Sequence, residues 1–279
     1  MRAPTSAASC PRFWSRGSRL PGSDLPLLVE AAQEAGEIAR RFHQGAPAVW
    51  EKEDAQGPVT EADLAVDAHL KDRLLTARPD YGWLSEESVA RTDRTATSAQ
   101  FIVDPIDGTR AFLEGGRDWS HSIAVARGGQ ITAAVVYLPL RSATYTAVLG
   151  EGAWLNDARL GTSDQTEIER AQVLANAPTM DQRHWHRGAP GFERHFRSSL
   201  AYRMCLVALG RFDAMLTLRP TWEWDVAAGS LIVTEAGGTV TDQAGHPLRF
   251  NNPIPQHDGV VAAGGAMHRA LMDRLARDR

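Results

Sequence analysis

The chain has 279 residues, enough for about two domains or one large α/β unit at roughly 150 residues per domain, and enough to bury a core without a metal or disulfide staple. Thirty Lys and Arg against 34 Asp and Glu give a net charge of -4, which excludes binding to a nucleic acid polymer or an anionic membrane chiefly through charge. The longest apolar stretch, Ile131–Leu140, is about half a membrane span, so no integral span is expected. The two cysteines, Cys10 and Cys205, lie outside any Cys/His cluster. They exclude a disulfide framework and a thiolate zinc site, and they fit a reducing, cytoplasmic setting.

In chain order, residues 1–23 come first and stand apart. Arg2, Arg12, Arg16 and Arg19 sit among Ser, Pro and Gly with no acid before Asp24, and the apolar core of a secretory signal is missing. The segment reads as a disordered extension or the product of an upstream start codon. From Asp24 a helix is expected, with Leu27, Leu28, Ala31, Ala35, Ile38 and Phe42 on one face at spacings of three and four. A second is expected over Thr60–Ala77, carrying Leu64, Ala68, Leu70, Leu74 and Leu75, with Glu61 and Asp63 suiting its first turn.

The middle of the chain reads as strands. Phe101–Val103 runs into an acidic turn, and Ser122–Ala126 and Ile131–Tyr137 flank Gly128–Gly129 as a hairpin. Thr144–Leu149 and Ala153–Leu155 continue the pattern, so one antiparallel sheet with helices on it is inferred. Beyond the polar stretch Thr162–Arg170 the pattern becomes α/β alternation. Helices are expected at Glu193–Leu200, Tyr202–Leu209, Val226–Ala236 and Met267–Arg277, with strands near Ala171–Ala175, Ala214–Leu216, Thr239–Thr241 and Val260–Ala262. A domain boundary is placed near residue 160: 24–160 form an N-terminal α+β domain and 161–279 a C-terminal α/β domain.

The chemistry concentrates in Asp104–Pro105–Ile106–Asp107–Gly108–Thr109. Pro105 and Gly108 force a turn that can bring both carboxylates to one point. Such an oxygen cluster suits a hard divalent cation, and a turn can add a backbone carbonyl such as that of Ile106. Gly108 and Thr109 then open a helix whose free N–H groups favour an anion. Glu86 and Glu87 follow an apolar pair, where a solvated surface pair is the plain alternative. Asp225 starts an apolar helix, where an N-cap is the plain alternative.

Taken together, Val59–Thr60–Glu61–Ala62–Asp63, Ser85–Glu86–Glu87–Ser88, Asp104–Pro105–Ile106–Asp107–Gly108–Thr109, and Trp224–Asp225–Val226–Ala227–Ala228–Gly229 followed by Glu235–Ala236–Gly237–Gly238 resemble the signatures of the inositol monophosphatase superfamily, in order, over roughly residues 25–275. The resemblance implies a layered αβαβα sandwich (α+β) and Mg²⁺-dependent hydrolysis of a phosphate monoester. It implies that Glu86, Asp104 and the Ile106 carbonyl hold one Mg²⁺, that Asp104, Asp107 and Asp225 hold a second, and that Glu86 helps place a third. It further implies a catalytic set of Thr109, Asp63 and Glu86, with Thr109 hydrogen-bonded to Asp63 to orient the attacking water. Gly108, Thr109, Arg110 and Asp225 would contact the substrate. Ser85 departs from the pattern, since the family usually has glycine there.

Within the superfamily, Arg110 after the turn resembles the CysQ-like 3'(2'),5'-bisphosphate nucleotidases, and an added cation suits a second phosphate. Inositol-specific members carry an acid several residues ahead of the position of Asp225; here Thr217–Thr221 offers Arg219, with Glu223 close enough in sequence to be the alternative. Adenosine 3',5'-bisphosphate is therefore the expected small-molecule substrate, giving AMP and phosphate. An inositol-1-monophosphatase or a broad inositol/sugar phosphatase is the alternative, and a non-catalytic phosphometabolite-binding relative is a third reading. Lys52 and Glu87 are further candidates beside the centre, and Trp222 is a candidate for stacking on a base. The histidines, His184 and His186 among them, read as surface residues, and Cys205 reads as core. Some sensitivity to Li⁺ is implied by the family. Homodimers are common in it, although no sequence feature of this chain establishes one.

Overall fold

The computed structural model describes residues 24–43, 45, 48–51, 58–88 and 94–276. The expectations for residues 1–23 and for Lys52 lie outside the described residues.

The first half contains α1 (Leu25–His43), β1 (Val49–Glu51), β2 (Pro58–Thr60), α2 (Glu61–Ala77), β3 (Gly82–Ser85), β4 (Ala99–Asp107), α3 (Thr109–Leu113), β5 (Ser120–Arg127), β6 (Gln130–Leu138), β7 (Ala143–Val148), β8 (Gly152–Leu155) and β9 (Ala158–Arg159). The second half contains β10 (Gln172–Ala175), β11 (Glu193–His195), α4 (Leu200–Ala208), β12 (Ala214–Trp222), α5 (Glu223–Glu235), β13 (Gly238–Thr241), β14 (Gln256–Gly264) and α6 (Gly265–Met272).

Strands β3 to β9 form one sheet in chain order, and a second sheet has the order β11-β10-β12-β14-β13. The first sheet is antiparallel except for the parallel pair β3 and β4, which corrects the expectation of a wholly antiparallel sheet. A parallel neighbour needs a crossover rather than a tight turn. In the second sheet β10 runs parallel to both β11 and β12. The β5–β6 hairpin turns at Gly128 and Gly129, both at positive φ, as a two-residue turn matched to strand twist requires.

Three apolar clusters stack the elements into layers. One joins α1 and α2 to one face of the first sheet through Leu28, Ala35, Leu70, Phe101, Ile123 and Val135. A second fills the space between the sheets, where Met204, Val207, Leu231 and Ile232 of α4 and α5 meet Ile102, Ala134, Met215 and Val260. The third covers the far face of the second sheet with α6, through Val173, Leu216, Val261 and Leu271. The order is αβαβα. The sheets divide near residue 160, but α4 and α5 share one core with both.

Local chemistry explains the helix starts. Thr60 caps α2, accepting from Ala62 N and Asp63 N, while Asp63 returns a bond to the Thr60 N–H. Such caps contribute about 1 kcal/mol. Glu193–Leu200 is not helical: Glu193–His195 is strand β11, and the helix begins at Leu200, after Ser199, whose hydroxyl accepts from Tyr202 N. Leu64 of α2 is 45 % exposed, while Leu70 and Leu74 are buried. Helix α6 ends at Met272 rather than Arg277. His121 and His268 are buried, so the reading of the histidines as surface residues fails for these two. Cys205 is buried in the shared core.

Strand β4 carries a bulge. Asp104 pairs with Ser122 and Asp107 with Ser120, so three steps on β4 oppose two on β5. Residues three apart in a regular strand point to opposite faces. The extra residue restores parity and puts both aspartates on the face that carries Ser120 and Ser122. That face meets α4 and α5: Ser122 Oγ donates to Trp224 O, and Ser120 Oγ bonds Ser199 Oγ.

Candidate functional site

Asp104, Asp107 and Asp225 converge where β4 ends against the first turns of α4 and α5. Each offers one carboxylate oxygen, and the three oxygens lie within 4.8 Å of one another. Asp104 and Asp107 are buried, while Asp225 is half-buried. Asp225 sits in the first turn of α5, and the adjacent buried Glu223 fixes that turn by accepting from Asn251 N at 2.7 Å and Asn252 N at 2.9 Å.

Burial raises all three acids, and repulsion from neighbouring carboxylates adds to it at Asp104 and Asp225. Asp104 is held well above the usual carboxylate range, first by desolvation and then by Glu86, Asp107, Asp225 and Glu87. Asp225 is likewise pushed well up by desolvation, Asp107 and Glu86, against the pull of Arg219 and the Trp222 N–H. Asp107 rises only to about 6. Its two oxygens accept from Ser199 Oγ at 2.5 Å, Leu200 N at 3.1 Å and Ala201 N at 2.7 Å, and these donors stabilise its charged form. Asp107 is thus seated on the N-terminal turn of α4, beyond hydrogen-bonding reach in sequence but adjacent in space.

Asp104 Oδ1 is buried and has no hydrogen-bond partner among the described residues. A buried carboxylate oxygen left without a donor costs free energy unless something absent from the protein chain meets it. A cluster of carboxylate oxygens with no nitrogen or sulfur ligand among them suits a hard divalent cation, Mg²⁺ or one like it. The residues present therefore fit a metal.

The other expected residues fall around this centre. Glu86 and Glu87 are half-buried at the end of β3, and both act electrostatically on Asp104. Ile106 is fully buried, and its carbonyl accepts from Thr109 Oγ1 at 3.2 Å. The expected hydrogen bond from Thr109 to Asp63 is therefore not the one the hydroxyl makes in this structure, since its single proton is directed to Ile106. Asp63 is buried and accepts from Thr60 N at 2.8 Å and Thr60 Oγ1 at 2.5 Å.

Gly108 precedes α3 at φ +99, and a Cβ there would meet Asp118 O at 3.0 Å and Ser199 N at 3.2 Å. Only glycine tolerates both the conformation and the approach. Arg110 is exposed. Arg219 lies in β12, where the pairing with β14 shifts register between Thr217 and Pro220, and its charge reaches Asp225. Trp222 is half-buried, its ring stacked on Trp224 at 4.7 Å.

Sequence reasoning missed Ser199 and Arg203. Ser199 carried a usable signal, a serine immediately before an apolar run. Arg203 carried a weaker one, a cation inside a helix whose residues are all buried. Its guanidinium donates to Arg197 O and to Asn176 Oδ1, lies over the Phe196 ring at 4.4 Å, and feels the charges of Asp107, Arg219 and Asp225. Arg203 and Arg219 thus form a basic flank to an acidic centre.

Comparison with known proteins agrees with this geometry. The profile of the inositol monophosphatase family matches residues 23–279. The inositol-1-monophosphatase of Rhizobium meliloti (strain 1021) is 34 % identical over 252 residues, covering 86 % of this chain and 93 % of that one. The 3'(2'),5'-bisphosphate nucleotidase CysQ of Aggregatibacter actinomycetemcomitans is 30 % identical over 246 residues, covering 81 % and 87 %. The crystal structure of the extragenic suppressor protein suhB from Bartonella henselae superposes with a TM-score of 0.76 at 30 % identity, covering 89 % of this chain and 96 % of that one. With the layered fold, the acidic centre and these likenesses in place, the chain belongs to the inositol monophosphatase family.

Proposed function

We propose that this chain is a Mg²⁺-dependent phosphate monoester hydrolase whose substrate is a nucleoside bisphosphate, adenosine 3',5'-bisphosphate, giving AMP and phosphate. The observation that carries the hydrolase reading is the trio of carboxylates within 4.8 Å, with Asp104 Oδ1 left without a donor. Asp104, Asp107, Asp225, Glu86 and the Ile106 carbonyl are the groups that would hold two or three Mg²⁺. Held by these groups, Mg²⁺ would supply charge neutralisation of the phosphate dianion, a lowered pKa for water and stabilisation of the departing alkoxide.

The chain's own groups do the rest. Thr109 Oγ1 and Asp63 form the proposed pair that holds the attacking water and takes its proton. Asp63 is anchored for that role by both donors of Thr60, and Thr109 would have to release the Ile106 carbonyl to donate to it. The N–H groups of Gly108 and Thr109 orient the phosphate, with the positive φ of Gly108 turning the backbone toward it. Attack by water needs no covalent intermediate on the protein, and Cys205, buried in the core, is unavailable as a nucleophile.

The nucleotide reading rests on the basic flank. Arg203 and Arg219 place positive charge beside the centre, where a second phosphate gains a charge-assisted partner and an inositol ring gains little. The likeness to an inositol-1-monophosphatase at 34 % identity supports the second reading, an inositol phosphate substrate. A phosphate-release panel with Mg²⁺ separates them: adenosine 3',5'-bisphosphate should be hydrolysed faster than inositol 1-phosphate or fructose 1,6-bisphosphate. The reverse order refutes the nucleotide assignment, and no metal-dependent release from any of the three refutes the hydrolase. Li⁺ should inhibit the turnover.

A further inference from the structure

The bulge that brings Asp104 and Asp107 to one face has a single residue opposite it. Register places Pro105 and Ile106 of β4 against His121 of β5, between the pairs Asp104 with Ser122 and Asp107 with Ser120. Ser120 and Ser122 face α4 and α5, so His121, between them, points the other way. It lies behind the acidic centre, fully buried, with Trp119 at 5.6 Å and Tyr137 at 6.3 Å between ring centroids.

Its Nδ1 makes a short hydrogen bond to the Pro105 carbonyl. A carbonyl only accepts, so Nδ1 carries the proton and Nε2 is the bare nitrogen. Nε2 is buried and has no partner among the described residues. Burial also holds the ring neutral, with its pKa lowered to about 4, so the ring has one proton to give, and Pro105 receives it.

This is an odd residue to find there. The neighbours on the same face of β5 are Trp119, Ile123 and Val125, all apolar, and an apolar side chain at 121 would leave no nitrogen unpaired. The histidine is accounted for by what its other nitrogen does. Pro105 has no N–H to anchor the bulge, so its carbonyl is the only polar handle on that residue, and His121 holds it.

We propose that His121 is a positioning residue for the metal centre: by pinning the Pro105 carbonyl from the opposite face of the sheet, it sets the bulge that aims Asp104, the Ile106 carbonyl and Asp107 at a common cation. The inference rests on the metal-centre reading above. Supporting groups of this kind commonly change metal affinity by about 10- to 100-fold when removed.

The test compares His121→Phe, which keeps an aromatic ring and loses the donor, with His121→Asn, whose Nδ2 sits close to the place of Nδ1. Mg²⁺ binding is measured by titration calorimetry, and the melting temperature is measured in EDTA. The Phe variant should bind Mg²⁺ about 10-fold more weakly and melt somewhat below the parent in EDTA, because the Pro105 carbonyl loses its donor. The Asn variant should recover most of the affinity. Equal affinity for parent and Phe variant, or equal loss in both variants, overturns the proposal.

A measurement on the parent chain alone covers the case in which a variant does not fold. Nitrogen NMR of the imidazole should show a neutral Nδ1–H tautomer between pH 5 and pH 8, with a resonance that moves on Mg²⁺ addition. An Nε2–H tautomer, or a resonance indifferent to Mg²⁺, also overturns it. If the parent binds no Mg²⁺ at all, the metal-centre reading fails and takes this inference with it; if the parent binds and the variants do not differ, only the role of His121 fails.

Discussion

Replacing Asp104 with Asn should stabilise the metal-free protein while destroying its function. The carboxylate oxygens of Asp104, Asp107 and Asp225 lie within 4.8 Å of one another, and at an effective dielectric of about 20 two unit charges at that separation repel by roughly 3 kcal/mol. Desolvation first, and this repulsion after it, hold Asp104 and Asp225 well above the usual range, so without a cation the cluster keeps protons. The stability recovered by removing one charge is therefore about 1–3 kcal/mol at pH 8.

The direction with pH follows from proton linkage. Because the folded pKa of Asp104 exceeds the unfolded one, the folded chain binds more protons, and its stability falls as pH rises through the folded value. The advantage of Asn is thus largest at high pH and fades toward pH 4. In EDTA at pH 8, D104N should melt about 2–12 °C above the parent, at about 2–4 °C per kcal/mol for a chain of this size. Adding Mg²⁺ should raise the parent's melting temperature and leave that of D104N nearly unchanged, and phosphate release by D104N should fall by about 100-fold or more. A D104N protein less stable than the parent in EDTA, or an equal Mg²⁺ shift in both, refutes the reasoning.

Further consequences can be checked with standard assays. Asp107, raised from 3.8 to about 6 without metal, should make the metal-free chain lose up to about 3 kcal/mol as pH climbs from about 4 through 6; urea titrations across that range in EDTA measure it, and saturating Mg²⁺ should flatten the slope. Ser199→Ala removes one of the donors that hold the Asp107 carboxylate charged, so the acid limb of the kcat/KM profile should move to higher pH, with a stability loss of about 1–2 kcal/mol. Gly108→Ala should cost about 1–3 kcal/mol in chemical denaturation and lower turnover, because φ +99 and the approach of Asp118 O at 3.0 Å leave no room for Cβ. Arg219→Ala should raise KM for adenosine 3',5'-bisphosphate about 10-fold and leave that for inositol 1-phosphate within about 3-fold; equal changes for both substrates would show that Arg219 does not read the second phosphate.

Much of this was legible before any coordinates, for a physical reason. Asp104, Asp107, Gly108 and Thr109 fall in one short turn, and local backbone preferences alone bring them near each other. Helix α2 with its acidic first turn and the hairpin at Gly128–Gly129 were readable for the same reason, since each depends on residues a few places apart. Errors came where distant partners decide. Glu193–His195 has helix-compatible residues, yet it pairs as a strand beside β10. The seat of Asp107 on α4 joins residues 92 positions apart, and no local pattern encodes that separation. The bulge depends on the register of β5 against β4, so neither strand reveals it alone, and the same holds for His121, whose buried position was mistaken for a surface one.

The seating of Asp107 on α4 has a consequence for the order in which the protein is made. Residues 24–160 contain Glu86, Asp104 and Asp107, but the donors that stabilise Asp107 begin at Ser199, and Asp225 follows later still. While the ribosome has released only the first sheet, its acids remain an unbalanced set without the donors of α4 that stabilise the charge of Asp107. A cation arriving then would find a loose and incomplete cage. With the metal centre proposed above, tight capture would wait until α4 and α5 have emerged and closed over the sheet, and metal loading would report that the two sheets have been joined correctly.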